Sequence, residues 1–250
     1  MLKLLFIRHG ESTGNQAHRM TGQSDDHLTY LGQQQCQELA QYLYRQEWSP
    51  SHVYTSPLRR AVESLACLLE PWEWSLPDEV RSAHPIQEPI TINKTTLVGD
   101  GQTLSPPPIK VSGHLQEFHA GILTGLTWPE AKYQYPMLCQ TLETSLDWVP
   151  IPNAETPLDG RRRAHDFIQQ LLANHQNDHR IWVISHHWIM EHLIATLMGC
   201  DRTWQMTIPN TALFEFWIDC DRWTQGGMNL GLSTLWQIKR FGDCPHLSRL

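Results

Sequence analysis

The sequence predicts an α/β fold, a three-layer sandwich with a mostly parallel central sheet flanked by helices. Three observations carry that expectation. Short apolar runs alternate with longer segments whose apolar residues recur at helical spacing. Several of those runs lack the polar alternation of a half-exposed strand, as expected where both faces are covered. Three of the runs end in residues that carry charge, imidazole or hydroxyl groups, at the strand ends where such sheets bind ligands.

The elements follow in order. Residues 2–7 are an apolar run ending in a polar cluster, and read as the first strand. From Gly32 onward, Cys36, Leu39, Ala40 and Leu43 fall at i, i+3, i+4 and i+7 and give a helix one apolar face. Residues 52–55 are a short strand. Ser56-Pro57 then reads as a helix start, an N-cap hydroxyl followed by proline at the first helical position. Leu58, Ala61, Val62, Leu65 and Leu69 continue that helix with core spacing.

The pattern breaks over 71–114, where Pro71, Pro77, Pro85, Pro89 and Pro106-Pro107-Pro108 stand among Gly99, Gly101 and Gly113. This Pro/Gly-rich insertion reads as mostly irregular, with a short strand or two over 90–97. A stretch of this kind is either a cap that selects substrate or a peripheral decoration. Periodicity returns with a helix over 162–173, a buried strand over 180–185, and a helix over 187–198 with Ile189, Leu193, Ile194 and Leu197 inward. Residues 212–218 and 232–238 read as strands near a sheet edge. With no internal repeat or low-complexity tract, residues 1–250 read as one domain.

Composition excludes several classes. Lys+Arg 19 against Asp+Glu 26 gives a net charge of −7, which argues against a nucleic-acid partner. Hydrophobic residues at 40% supply a sizeable core and exclude global disorder. No apolar run has the length a bilayer span needs, so no membrane partner is expected. The apolar N-terminus lacks a small-residue cleavage site and reads as a strand rather than a signal peptide. The six cysteines are scattered without a C-x-x-C pair and read as reduced thiols, which places the protein in the cytoplasm. The sequence leaves oligomeric state open.

The strand ends carry the chemistry. The first strand exits into Arg8-His9-Gly10-Glu11-Ser12-Thr13-Gly14-Asn15, the strand over 180–185 into His186-His187, and the strand over 52–55 into Ser56-Pro57-Leu58-Arg59-Arg60. Histidines, arginines and a helix N-terminus converging on one crevice suit a phosphate dianion. Gly10 removes side-chain bulk beside His9, so a ligand can approach closely.

These residues resemble the signature of the histidine phosphatase superfamily, the phosphoglycerate mutase-like proteins. The resemblance is carried by Leu5-Phe6-Ile7-Arg8-His9-Gly10-Glu11-Ser12 and Asn15, by 21–32, and by Ser56-Pro57-Leu58-Arg59-Arg60-Ala61. It continues at Leu115-Gln116-Glu117 with Gly121 and Gly125, and at Val183-Ile184-Ser185-His186. All blocks stand in family order. The resemblance implies a phosphoglycerate mutase-like fold in which His9 is the nucleophile. Arg8, Arg60 and His186 would hold the non-bridging oxygens, and Asn15 would add a hydrogen bond. Glu117 would act as general acid and then activate water, while Thr21 and Gly22 would line the substrate side.

The reading that follows is a metal-independent phosphomonoester hydrolase that acts on a small phosphorylated substrate without a cofactor. An alternative is a mutase of the phosphoglycerate type, which would need 2,3-bisphosphoglycerate as primer. The hydrolase is favoured because the insertion precedes Glu117, whereas in the glycolytic mutases this chain resembles the comparable insert follows the acid. Another alternative is a catalytically silent binding module on the same fold. His187 departs from the family pattern, which has a small residue there, and its ring either points away or narrows the pocket. His186, His187 and His192 lie near Glu191, but there is no H-E-x-x-H, and His187 and His192 do not share a helical face, so no catalytic metal is expected. His114 and His119 flank Glu117 and read as solvated surface histidines, the alternative being that they tune its environment. The tryptophans read as packing rather than base stacking, and Arg161-Arg162-Arg163 begins a helix, so at most one or two of the three can face the pocket and the run reads as a solvated face.

Overall fold

A computed structural model describes residues 1–81, 96–97, 103–223, 231 and 233–249. The strands and α-helices in chain order are β1 (Leu2–Arg8), α1 (Thr13–Gln16), α2 (Tyr30–Arg45), β2 (His52–Thr55), α3 (Arg59–Leu69) and α4 (Asp78–Arg81). They continue with β3 (Thr96–Leu97), β4 (Thr103–Leu104), β5 (Ile109–Val111), α5 (Trp128–Gln134), α6 (Pro136–Thr144) and α7 (Pro157–Asn174). The last are β6 (Arg180–Ser185), α8 (His187–Leu197), β7 (Leu213–Ile218), α9 (Cys220–Trp223) and β8 (Trp236–Asp243).

Six strands form one mixed sheet in the order β5-β2-β6-β1-β7-β8. The pairs β5–β2, β2–β6 and β6–β1 are parallel, whereas β1–β7 and β7–β8 are antiparallel. Alternation along β1 sends Leu5 and Ile7 to one face and Leu4 and Phe6 to the other. The first face packs on Leu39 and Leu43 of α2 and on Leu65 and Leu68 of α3. The second packs on Phe167 and Ile168 of α7 and on Ile189 and Leu193 of α8. Burial on both sides is why β1 and β6 carry near-continuous apolar sequence. The α/β sandwich is as the sequence predicts.

Several boundaries differ, each for a local reason. Ser56 does not cap α3. The helix begins at Arg59 after Leu58, which makes no side-chain cap bond, and the Ser56 hydroxyl instead bonds Nε2 of His186 at 2.7 Å. Helix α7 begins earlier than predicted because Thr156 and Asp159 form a capping box around Pro157. The described part of the 71–114 stretch is not all loop. Trp72, Trp74, Leu76 and Val80 join the core on the α2–α3 side, and β5 extends the sheet. Residues 96–97 pair with 103–104, while 90–95 of the predicted strand lie outside the described residues. The last strand starts at Trp236 rather than 232 and runs to Asp243, with irregular register against β7. All six cysteines are free. No helix of the described residues is long and apolar enough to cross a membrane.

Candidate active site

Three adjacent parallel strands, β2, β6 and β1, end at the same edge of the sheet, and this topology assembles the site. His9 follows β1, His186 follows β6 and Ser56 follows β2. The His9 N–H donates to the Ser185 carbonyl at 3.1 Å, and the Ser56 N–H to that of Ile184 at 3.0 Å, so the strand ladder continues into the site. Both imidazoles are buried, with ring centroids 4.9 Å apart.

The tautomer of His9 is set by its neighbours. Its Nδ1 lies 2.6 Å from the Gly10 carbonyl, which can only accept, so Nδ1 carries the proton. Nε2 therefore holds a lone pair, and it accepts from Nε of Arg60 at 3.3 Å. Arg60 is fully buried on the first turn of α3, and its other nitrogens donate to the carbonyls of Gly22 at 2.7 Å and Ser24 at 2.9 Å. Burial holds the His9 pKa well below the ordinary value, reinforced by the positive charges of Arg60 and Arg8. His186 is lowered for the same leading reason, burial, with Arg60 next.

Arg8 donates to the Ile208 carbonyl, but its Nε is buried without a hydrogen-bond partner, as is Nδ1 of His186. Buried polar atoms of this kind need a partner, and an oxyanion supplies one for the guanidinium and for an imidazole that carries its proton on Nδ1. Burial lowers the pKa values of Arg8 and Arg60, and the nearby Glu117 charge is the largest opposing influence on both.

Glu117 faces this cluster from the turn after residues 113–115. Its carboxylate accepts N–H groups of Phe118 at 2.8 Å, Trp188 at 3.2 Å and Ile189 at 3.3 Å, and so sits on the N-terminus of α8. Arg163 fixes the turn by donating to the carbonyls of His114 at 3.0 Å and Gln116 at 2.8 Å, while a bidentate pair with Glu155 holds its guanidinium.

The other predicted residues sit around this centre. Asn15 closes a capping box with Ser12 and accepts from Asn210, whose amide also donates to the His9 carbonyl. Gly22 is in the left-handed region at φ +49, and a Cβ there would stand 3.0 Å from the Phe118 carbonyl, which brings the Gly22 turn against the Glu117 turn. Thr21 packs its methyl over Gly14. His187 points away, its Nε2 3.5 Å from Glu191 on a side chain 39% exposed. His192 packs on the Trp188 ring at 4.2 Å, so His186, His187 and His192 serve three different surroundings.

Sequence reasoning missed Arg163, Ser56 and Asn210. Arg163 was readable: it stands three residues after the buried Gly160 and four before Phe167, on the margin of the apolar stripe. Asn210 belongs to a loop whose approach to His9 depends on the antiparallel placement of β7, which no local pattern encodes.

The fold and this constellation define an α/β protein in which two buried histidines and two buried or half-buried arginines meet at the carboxyl ends of parallel strands. A family model described as "Histidine phosphatase superfamily (branch 1)" matches residues 4–82 and 96–230, and the chain belongs to that superfamily. The chain is 26% identical over 185 residues to a "Metal-independent phosphoserine phosphatase" of Arabidopsis thaliana, in a match covering 74% of this chain and 63% of that protein. It therefore spans less than two thirds of that relative's length. It is 25% identical to "Phosphoglycerate mutase-like protein 4" of the same plant, over 98% of this chain and 86% of the relative. The solved structure of Bacillus stearothermophilus YhfR superposes with a TM-score of 0.70 at 20% identity, covering 98% and 99% of the two chains.

Proposed function

We propose that this protein is a metal-independent phosphatase of small phosphomonoesters that works through a phosphohistidine on Nε2 of His9. The observation that carries this reading is the fixed tautomer of His9. A neutral imidazole anchored by Nδ1–H to the Gly10 carbonyl presents its lone pair beside a buried guanidinium.

In the first step the Nε2 lone pair of His9 attacks phosphorus and the P–O ester bond breaks. The departing oxygen takes its proton from the Glu117 carboxyl group. Arg8 and Arg60 offset the charge on the non-bridging oxygens, and Nδ1–H of a neutral His186 and the Asn15 amide nitrogen donate to them. Thr21 and Gly22 border the alcohol side. In the second step the Glu117 carboxylate takes a proton from water, the hydroxide oxygen attacks phosphorus, and the N–P bond breaks with its electrons returning to Nε2. Glu117 must loosen its bonds to the α8 N–H groups to act as the acid, and the incoming dianion supplies the repulsion that does so.

The test is inorganic phosphate release from a panel of phosphomonoesters in EDTA, comparing wild type with His9→Ala. Turnover that survives the chelator and vanishes in the variant is the expected result. Loss of activity in EDTA, restored by a divalent ion, overturns metal independence. The likeness to a phosphoglycerate mutase-like protein favours one second reading, return of the phosphoryl group to a phosphoacid. That reading requires no hydrolysis without a primer and phosphoglycerate isomerisation once 2,3-bisphosphoglycerate is added.

A further inference from the structure

At the opposite ends of the same strands, three histidines meet. His52 opens β2, His175 ends α7, and His179 immediately precedes β6. Strand β6 thus separates His179 from His186, a span of roughly 20 Å at strand rise. The parallel pairing of β2 with β6 and the short connection from α7 to β6 bring the three rings together. Ring centroids are 4.5 Å apart for His52 and His175, 4.5 Å for His52 and His179, and 5.2 Å for His175 and His179. One ring nitrogen from each lies within 4.8 Å of the other two.

We propose that His52, His175 and His179 form a three-histidine site for a borderline divalent transition ion of the zinc type, separate from the phosphate-binding crevice. Nδ1 of His175 and Nδ1 of His179 are 3.0 Å apart, close to the roughly 3.3 Å edge of a tetrahedron with zinc–nitrogen bonds of 2.0–2.1 Å. The other nitrogen of His175, Nε2, lies 2.8 Å from the Tyr54 hydroxyl. If Nε2 holds the proton and donates to that oxygen, Nδ1 keeps a lone pair, which an ion would take in place of the hydrogen bond shared with Nδ1 of His179. A ligating histidine whose second nitrogen is held by an oxygen is the usual support around such ions. Nδ1 of His52 is engaged in the same way by the Ser51 hydroxyl at 3.0 Å, which leaves its Nε2 as the donor.

The surroundings select the kind of ion. Lys110, on the strand beside Tyr54, adds positive charge and no carboxylate is part of the group. Hard ions such as calcium and magnesium need oxygen ligands and are poorly served here, whereas zinc, cobalt, nickel and copper accept imidazole. Water would complete the tetrahedron. An ion so held would tie the end of α7 to the starts of β2 and β6 and stabilise the folded chain by mass action.

The test uses the untagged full-length protein, stripped with chelator and titrated with Zn2+ and with Co2+. The expected result is one saturable equivalent, a visible tetrahedral cobalt spectrum, and a zinc-dependent rise in Tm of about 5–10 °C at a hundredfold excess over Kd. His52→Ala/His179→Ala should lose that equivalent and the Tm rise, while His187→Ala should keep both. Equal binding in the double variant, or no saturable binding by wild type, overturns the proposal. Should the double variant fail to fold, zinc-edge scattering of the wild-type complex decides: three imidazoles support the site and fewer overturn it.

Discussion

Arg60 reaches Nε2 of His9 from its Nε at 3.3 Å while its terminal nitrogens donate to the carbonyls of Gly22 and Ser24. One buried guanidinium therefore ties the proposed nucleophile to the turn of Gly22 and Ser24. A planar fork with donors in fixed directions can do this, and a single ammonium cannot. Arg60→Lys keeps the charge but should lower kcat by about 10²–10³-fold, the range seen for removing one transition-state donor. Steady-state kinetics on the best panel substrate measures this, and a variant within a few-fold of wild type would contradict the assigned geometry.

Glu117→Gln keeps the side-chain volume, leaves one of the two oxygens to accept the α8 N–H groups, and removes the transferable proton. The loss should depend on the leaving group: about 10²–10⁴-fold for alkyl phosphates, and far less for p-nitrophenyl phosphate, whose phenolate leaves without protonation. Equal losses on both substrates would remove Glu117 from the acid role.

Arg163 holds the Glu117 turn through the carbonyls of His114 and Gln116 without reaching the reacting atoms. It is a positioning residue. Arg163→Ala should lower kcat about 10²-fold with a smaller change in KM, because misplacing the acid harms the transition state more than ground-state binding. Arg163→Lys should not restore the rate, since lysine cannot reproduce the bidentate pair with Glu155. A drop in Tm with kcat unchanged would mark a merely structural role.

Stability should fall on mild acidification. Burial depresses both His192 and His246 to about 4. The unfolded chain, with ordinary histidines near 6.5, binds those protons first as pH drops. Stability from these groups is present above about pH 6.5 and is lost between 6.5 and 4, at up to about 1.4 kcal/mol per pH unit for each group. Urea unfolding at pH 7.0 and pH 5.0 tests the sign, and equal midpoints would refute it.

Gly10→Ala should destabilise and inactivate together. A Cβ at Gly10 would stand 2.6 Å from the Gly32 carbonyl and 2.7 Å from Sγ of Cys36, so α2 must move away from the end of β1. Overpacking of this kind costs about 1–3 kcal/mol. The Gly10 carbonyl also anchors Nδ1 of His9, so a shift there disturbs the tautomer. Calorimetry and kinetics on one preparation check both effects.

The sequence by itself determined the layered α/β class, because continuous apolar strands and 3.6-residue apolar stripes are local patterns with one economical packing. It also pointed to the strand ends that meet at the candidate site, since Arg8-His9-Gly10, Arg60 and His186 each follow a recognisable strand within a few residues. Only the tertiary structure decided which nitrogen of His9 is free, because that depends on the approach of Arg60 and the direction of the Gly10 carbonyl. Only it turned Arg163 from an apparent solvated face into a clamp, and Ser56 from a helix cap into a partner of His186. The meeting of His52, His175 and His179 was likewise settled by the parallel pairing of β2 and β6, residues more than a hundred positions apart. Periodicity constrains what a segment buries, whereas the partner of a polar side chain depends on which distant backbone arrives beside it.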